Sequence, residues 1–102
     1  MKEYILAFDI GTSAVKATLV SEDMRVVAEA AETYPTYTAS SGVVEQCATD
    51  WWRAACMAAH CVLDNQSICS DRIACIGVSG HMLGLLPVSS SGVPLMRAMI
   101  HA

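Results

Sequence analysis

The sequence predicts an α/β fold: an antiparallel β-meander, then one amphipathic helix, then further strands. Two apolar runs, 4–8 and 15–20, flank a glycine turn, and both are too short for helices. Residues 52–63 carry apolar side chains at helical spacing, and 72–78 is apolar again at the length of a strand. A strand that follows a helix is expected to join the meander in parallel, through a crossover.

The elements follow in order. Tyr4-Ile5-Leu6-Ala7-Phe8 is uniformly apolar, as suits a strand buried on both faces, and it ends abruptly in Asp9. Residues 15–20 alternate as a returning strand. Ser21-Glu22-Asp23-Met24 is a polar turn, and 25–33 alternates loosely as a third strand despite Ala28, Ala30 and Ala31, which are poor strand formers. Residues 34–42 have the composition of a loop. Thr49 is placed to cap the helix and Asp50 to sit at its positive end. Trp52, Ala55, Cys56, Ala59, Val62 and Leu63 then fall on one face of about four turns. The plain use of Trp51 and Trp52 is to pack helix on sheet. Residues 65–71 close the helix, and 72–78 reads as the next buried strand. Two glycines around His81 turn the backbone at 79–84. A strand at 85–88, a turn at Ser89-Ser90-Ser91-Gly92 and an apolar segment at 93–102 complete the series. Residues 96–102 look like a strand arriving at a site and stopping without a polar tail, as in a chain that has been cut.

Bulk properties narrow the function. The 102 residues suffice for one small domain, which buries on the order of 65% of its unfolded surface. Hydrophobic residues make up 54% before glycine is counted, above the usual 45–50%. That excess implies a partner surface and self-association. A net charge of −4 with six basic residues leaves no footprint for nucleic acid and no basic face for a membrane. No run reaches transmembrane length, and the apolar run before Asp9 is too short for an export signal. Five cysteines with no C-x-x-C pair read as reduced thiols in the cytoplasm. Cys56 and His60 could share a helix face, but with no second half to the site they read as packing rather than as metal ligands.

The chemistry-bearing stretch is Asp9-Ile10-Gly11-Thr12-Ser13-Ala14-Val15-Lys16. Gly11 can take a positive φ, and with Thr12 and Ser13 it forms a turn whose N–H groups and hydroxyls can face an anion such as phosphate. Asp9 beside it could hold Mg²⁺ through water, and Lys16 adds a positive charge. The helix-leading phosphate loop G-x-x-x-x-G-K-[ST] is a different pattern, because here a strand follows. The same residues also fit an ordinary hairpin with a glycine turn.

Asp-x-Gly-Thr between two strands resembles the first phosphate motif of the actin-like ATPase superfamily, which includes sugar kinases, heat-shock chaperones and actin. Four more stretches narrow the resemblance. They are Val44-Glu45-Gln46 followed by Thr49-Asp50-Trp51-Trp52, then Ile76-Gly77-Val78-Ser79-Gly80-His81-Met82-Leu83-Gly84, then Gly92-Val93-Pro94-Leu95, and last Ala98-Met99-Ile100. In this order and spacing they resemble the start of an FGGY-family carbohydrate kinase, most like its xylulokinase branch.

The resemblance implies an RNase H-like (actin-like ATPase) fold, held incompletely, with residues 1–102 as the N-terminal part of the first kinase domain and the second domain absent. It implies transfer of the γ-phosphoryl group of ATP to a hydroxyl of a small sugar or polyol, in a cleft between two domains. Asp9 would help hold Mg²⁺, Gly11, Thr12 and Ser13 would approach the phosphates, and Lys16 would take a basic position on the nucleotide side. His81, Met82 and Leu83 fall in the family's sugar-contacting segment. Xylulokinases read Gly-Gln-Met-His-Gly there, so His81 replaces a glutamine and Leu83 the sugar-binding histidine. Leucine offers no hydrogen bond, which separates this chain from xylulose recognition. His81 fits an exposed loop histidine and a substrate contact equally. The aspartate that activates the attacking hydroxyl would lie beyond Ala102, so no catalytic residue is assigned within the chain. A homodimer is one form the full enzyme could take. Two other readings stay open: a noncatalytic fragment that acts only by association, and a segment of an actin-like chaperone or filament ATPase.

Overall fold

A computed structural model describes residues 3–101. Strands β1 (Tyr4–Ile10), β2 (Ala14–Ser21) and β3 (Val26–Thr33) form the antiparallel meander. The chain then passes through the two-residue β4 (Tyr37–Thr38) and the short β5 (Val44–Gln46) into helix α1 (Ala48–Asn65). It returns as β6 (Ile73–Gly80), parallel to β1, giving the sheet order β3-β2-β1-β6. A short β7 (Ala98–Met99) joins β4 and β5 in a second, three-stranded sheet of order β4-β5-β7.

Side-chain alternation decides which face of the main sheet carries the core. The register sets Leu6 opposite Leu19, Phe8 opposite Ala17 and Ile10 opposite Val15, so even positions of β1 and odd positions of β2 share one face. Helix α1 lies on that face. Leu6, Val15, Ala17 and Leu19 are buried there against Ala54, Ala58 and Val62, with Tyr34 closing one end. Ala54 and Ala58 present only methyl groups, which lets the helix approach the sheet closely.

Several expectations change at this level. The helix is capped at Cys47 rather than Thr49: Cys47 is the N-cap, makes no side-chain capping bond, and Thr49 lies inside the first turn. Asp50 does occupy that turn, buried and paired with Arg53. The deepest helix positions are Ala54, Ala58 and Val62; of the expected stripe Val62 is buried and Ala55, Ala59 and Leu63 pack half-buried against the core, while Trp52 falls outside it. Trp51 packs against the core, while Trp52 is 74% exposed.

β1 is covered closely only on the helix side, where Leu6 is its one buried residue. β6 is an edge strand and not a buried one; Ile76 and Val78 are 62% and 68% exposed. Between β6 and α1 runs a groove of about 490 Å³ lined by Leu6, Phe8, Trp51, Trp52, Ile76 and Val78. The strands expected over 85–88 and 96–102 reduce to β7 and two isolated bridges, Leu85 with Met99 and Val88 with Pro94. Among the described residues no helix is long and apolar enough to cross a membrane.

Candidate functional site

The site forms where β1 stops. Asp9 is exposed at the strand's end, Gly11 to Ser13 make the turn, and Thr12 and Ser13 stand in solvent. Gly11 N–H donates to the Ala14 carbonyl at 2.9 Å, closing the turn. Gly11 is not in the positive-φ region, contrary to the expectation from its sequence; the positive-φ glycines are Gly42 and Gly92. Its constraint is space, because a Cβ there would sit 3.2 Å from the Ala14 oxygen.

All three carbonyls of the turn are held from behind. The Tyr34 hydroxyl donates to the Gly11 carbonyl, and Tyr34 N–H donates to that of Ser13 at 3.3 Å. Gln46 Nε2 donates to the Thr12 carbonyl at 2.6 Å. The N–H groups of Thr12 and Ser13, by contrast, have no protein acceptor among the described residues. Two amide donors and two hydroxyls therefore remain available to an anion. Burial, and secondarily the negative charge of Asp9, raise the Tyr34 pKa above its ordinary value, so the phenol stays a donor.

Gln46 is fully buried and fully used. Its second Nε2 hydrogen goes to Thr36 Oγ1 at 2.9 Å, and its Oε1 accepts from Trp51 Nε1 at 2.8 Å. Gln46 and Tyr34 were not expected as site residues. Gln46 entered only as part of the Val44-Glu45-Gln46 stretch that carries the resemblance, and Tyr34 only as part of a loop. Neighbouring Glu45 lies 3.9 Å from Arg97, whose guanidinium stacks over the Tyr37 ring.

The second candidate segment adjoins the first. β6 pairs Gly80 with Ile10, and His81 N–H donates to the Ile10 carbonyl at 2.9 Å, one residue from the turn. The His81 ring meets Trp51 edge-on at 5.4 Å between centroids, and its buried Nδ1 has no partner among the described residues. Met82 and Leu83 are 75% and 76% exposed. Leu83 has φ 64, a left-handed conformation that costs an L-residue about 1–2 kcal/mol. An apolar side chain is thus held strained and in the open, two residues past His81.

Lys16 is brought to the same strand end, opposite Asp9 in the β1–β2 register. Its ammonium lies 3.7 Å from Glu29 on β3, an exposed pair that water screens strongly. Asp9 engages no ion pair among the described residues. A single open carboxylate beside free amide donors fits a Mg²⁺ ion that keeps most of its water. Among the described residues no group of three or more His, Cys, Asp or Glu side chains could enclose a metal; Cys56 is half-buried and His60 is exposed.

The N-terminal domain of the FGGY family of carbohydrate kinases matches residues 4–102. A xylulose kinase of Staphylococcus epidermidis is 30% identical over 100 residues, 98% of this chain and 20% of that protein. A glycerol kinase of Xanthobacter autotrophicus is 38% identical over 79 residues, 78% of this chain and 16% of that protein. The gluconate kinase structure from Lactobacillus acidophilus superposes with a TM-score of 0.82 at 26% identity, over 94% of this chain and 19% of that one. The chain spans about a fifth of the length of such relatives, and the fold it carries is part of their RNase H-like, actin-like ATPase fold.

Proposed function

The chain belongs to the FGGY family of carbohydrate kinases, and on that premise we propose that residues 1–102 are the N-terminal part of the first domain of an ATP-dependent sugar or polyol kinase. The observation that carries the proposal is the turn at Gly11 to Ser13, with every carbonyl tied back and the Thr12 and Ser13 amides left open beside Asp9. Such a turn can cradle the phosphates of ATP, with the two hydroxyls adding donors and Lys16 a diffuse positive field. Asp9 would hold Mg²⁺ through its water shell; the ion, when bound, would neutralise charge on the phosphates. Phosphoryl transfer demands positioning and charge stabilisation more than covalent chemistry, so a rigid turn is a useful contribution from this wall of a cleft. The base that takes the proton of the attacking hydroxyl is assigned to polypeptide outside these residues. A cytoplasmic setting fits five cysteines that are all free, and self-association fits the exposed Trp52, Ile76 and Val78.

Substrate choice falls to the segment 80–84. If Leu83 faces the sugar, a hydroxyl placed against it loses its water without a replacement bond, at a cost of about 1–3 kcal/mol. That is roughly a tenfold to hundredfold penalty. The full-length enzyme is therefore expected to disfavour xylulose relative to a sugar that is deoxy or differently oriented at that carbon. His81 can offset the penalty if its unpaired Nδ1 reaches the hydroxyl. A panel of sugars and polyols assayed on wild type, Leu83→His and His81→Gln measures this. Xylulose preferred by wild type, and unchanged in both variants, contradicts the assignment of the segment; no ATP-dependent phosphorylation of any sugar or polyol contradicts the function itself.

A further inference from the structure

The amide of Gln46 is buried between three partners of different hydrogen-bonding character. The Thr12 carbonyl only accepts, the Trp51 indole only donates, and the Thr36 hydroxyl does either. Only one orientation satisfies all three: Nε2 toward Thr12 and Thr36, Oε1 toward Trp51. Turning the amide over would set two acceptors together at Thr12 and two donors together at Trp51.

We infer that Gln46 is a positioning residue for the phosphate-facing turn, and that Trp51 locks the orientation in which the Gln46 amide holds the Thr12 carbonyl. The inference rests on the kinase reading of the turn. With the Thr12 carbonyl held by Gln46, the same peptide plane directs the Ser13 N–H outward, as the Tyr34 hydroxyl on the Gly11 carbonyl does for the Thr12 N–H, to where the phosphates of ATP would be met. Without the indole, Oε1 would be left buried and unpaired in the native orientation. The amide does not gain by turning over, because reversal would set Oε1 against the Thr12 carbonyl and leave both Nε2 hydrogens without acceptors; the cost falls instead on the one buried oxygen and loosens the amide's hold on Thr12. Trp51 thus acts on the turn through another side chain, while its ring also contacts His81 on the adjoining segment.

The test uses the full-length kinase and four variants: Gln46→Glu, Trp51→Phe, Thr36→Val and the Trp51→Phe/Thr36→Val pair. Glutamate keeps the size of glutamine but has no N–H for Thr12, and phenylalanine keeps a ring for His81 but loses the donor. Both single variants are expected to lower kcat/KM for ATP about tenfold. Thr36→Val alone should leave it within about twofold. The double variant should lose at least as much as Trp51→Phe alone, because the amide then keeps only its bond to the Thr12 carbonyl. In each variant KM for the sugar should stay within about twofold, a split that general loss of packing does not produce. Unchanged ATP kinetics in Gln46→Glu, or a sugar KM that rises in step with that for ATP, overturns the inference while leaving the kinase reading intact. A wild-type enzyme that transfers no phosphate from ATP overturns that reading, and the inference with it.

Discussion

Replacing Asp9 by asparagine is expected to lower kcat of the full-length kinase about a hundredfold at saturating ATP and Mg²⁺, the scale lost when one preorganised charge-stabilising group is removed. Asp9 stands exposed at the end of β1, next to the open Thr12 and Ser13 amides. Asparagine keeps its shape and loses its charge, so the position of the metal on the phosphates weakens most when charge develops during transfer. KM for the sugar should stay within about twofold, because the loss falls on a step after the sugar binds. Steady-state kinetics over a range of Mg²⁺ concentrations check both halves. Turnover equal to wild type would remove Asp9 from the site, and a fall confined to sugar KM would move it to the substrate side.

Leu19→Ala is expected to cost about 2–5 kcal/mol of stability. Leu19 is fully buried and pairs across the sheet with Leu6 beneath helix α1. The core is small, eight buried residues in one cluster among the described residues, and five of those are alanines or valines with little side chain to spare. A domain of this kind has only about 5–15 kcal/mol in total, so the cavity consumes much of it. Urea denaturation followed by tryptophan fluorescence would report the loss, since Trp51 packs on the same core. A change below about 0.5 kcal/mol would mean that Leu19 is not under the helix.

Period and length made the meander, the single helix and the parallel return legible in the sequence, because strands 4–8, 15–20 and 25–33 and the helix each keep one pattern throughout. What stayed hidden was decided by size and by neighbours. Ala54 and Ala58 score weakly as hydrophobic residues, yet their smallness is what sets the helix close on the sheet, turning Trp51 inward and Trp52 out. β6 has the composition of a buried strand but is an edge in this chain, and composition alone does not say which neighbour a strand has. At the candidate site, the nearness of Asp9, Thr12 and Ser13 follows from sequence adjacency. The clamp on the turn does not: Tyr34 and Gln46 reach it from 23 and 34 residues away. Gly11 shows the same limit, since its need for glycine comes from the Ala14 oxygen across the turn and not from its own φ.

The central claim is that this turn serves phosphoryl transfer from ATP to a sugar or polyol. The most direct measurement is the fate of γ-labelled phosphate when the full-length protein is incubated with Mg-ATP, with and without a sugar panel. The expected result is label recovered in a sugar or polyol phosphate monoester, and little ATP consumed when no acceptor is present. ATP hydrolysed to free phosphate at the same rate with or without any sugar would contradict the claim, and would favour an actin-like chaperone or filament ATPase instead.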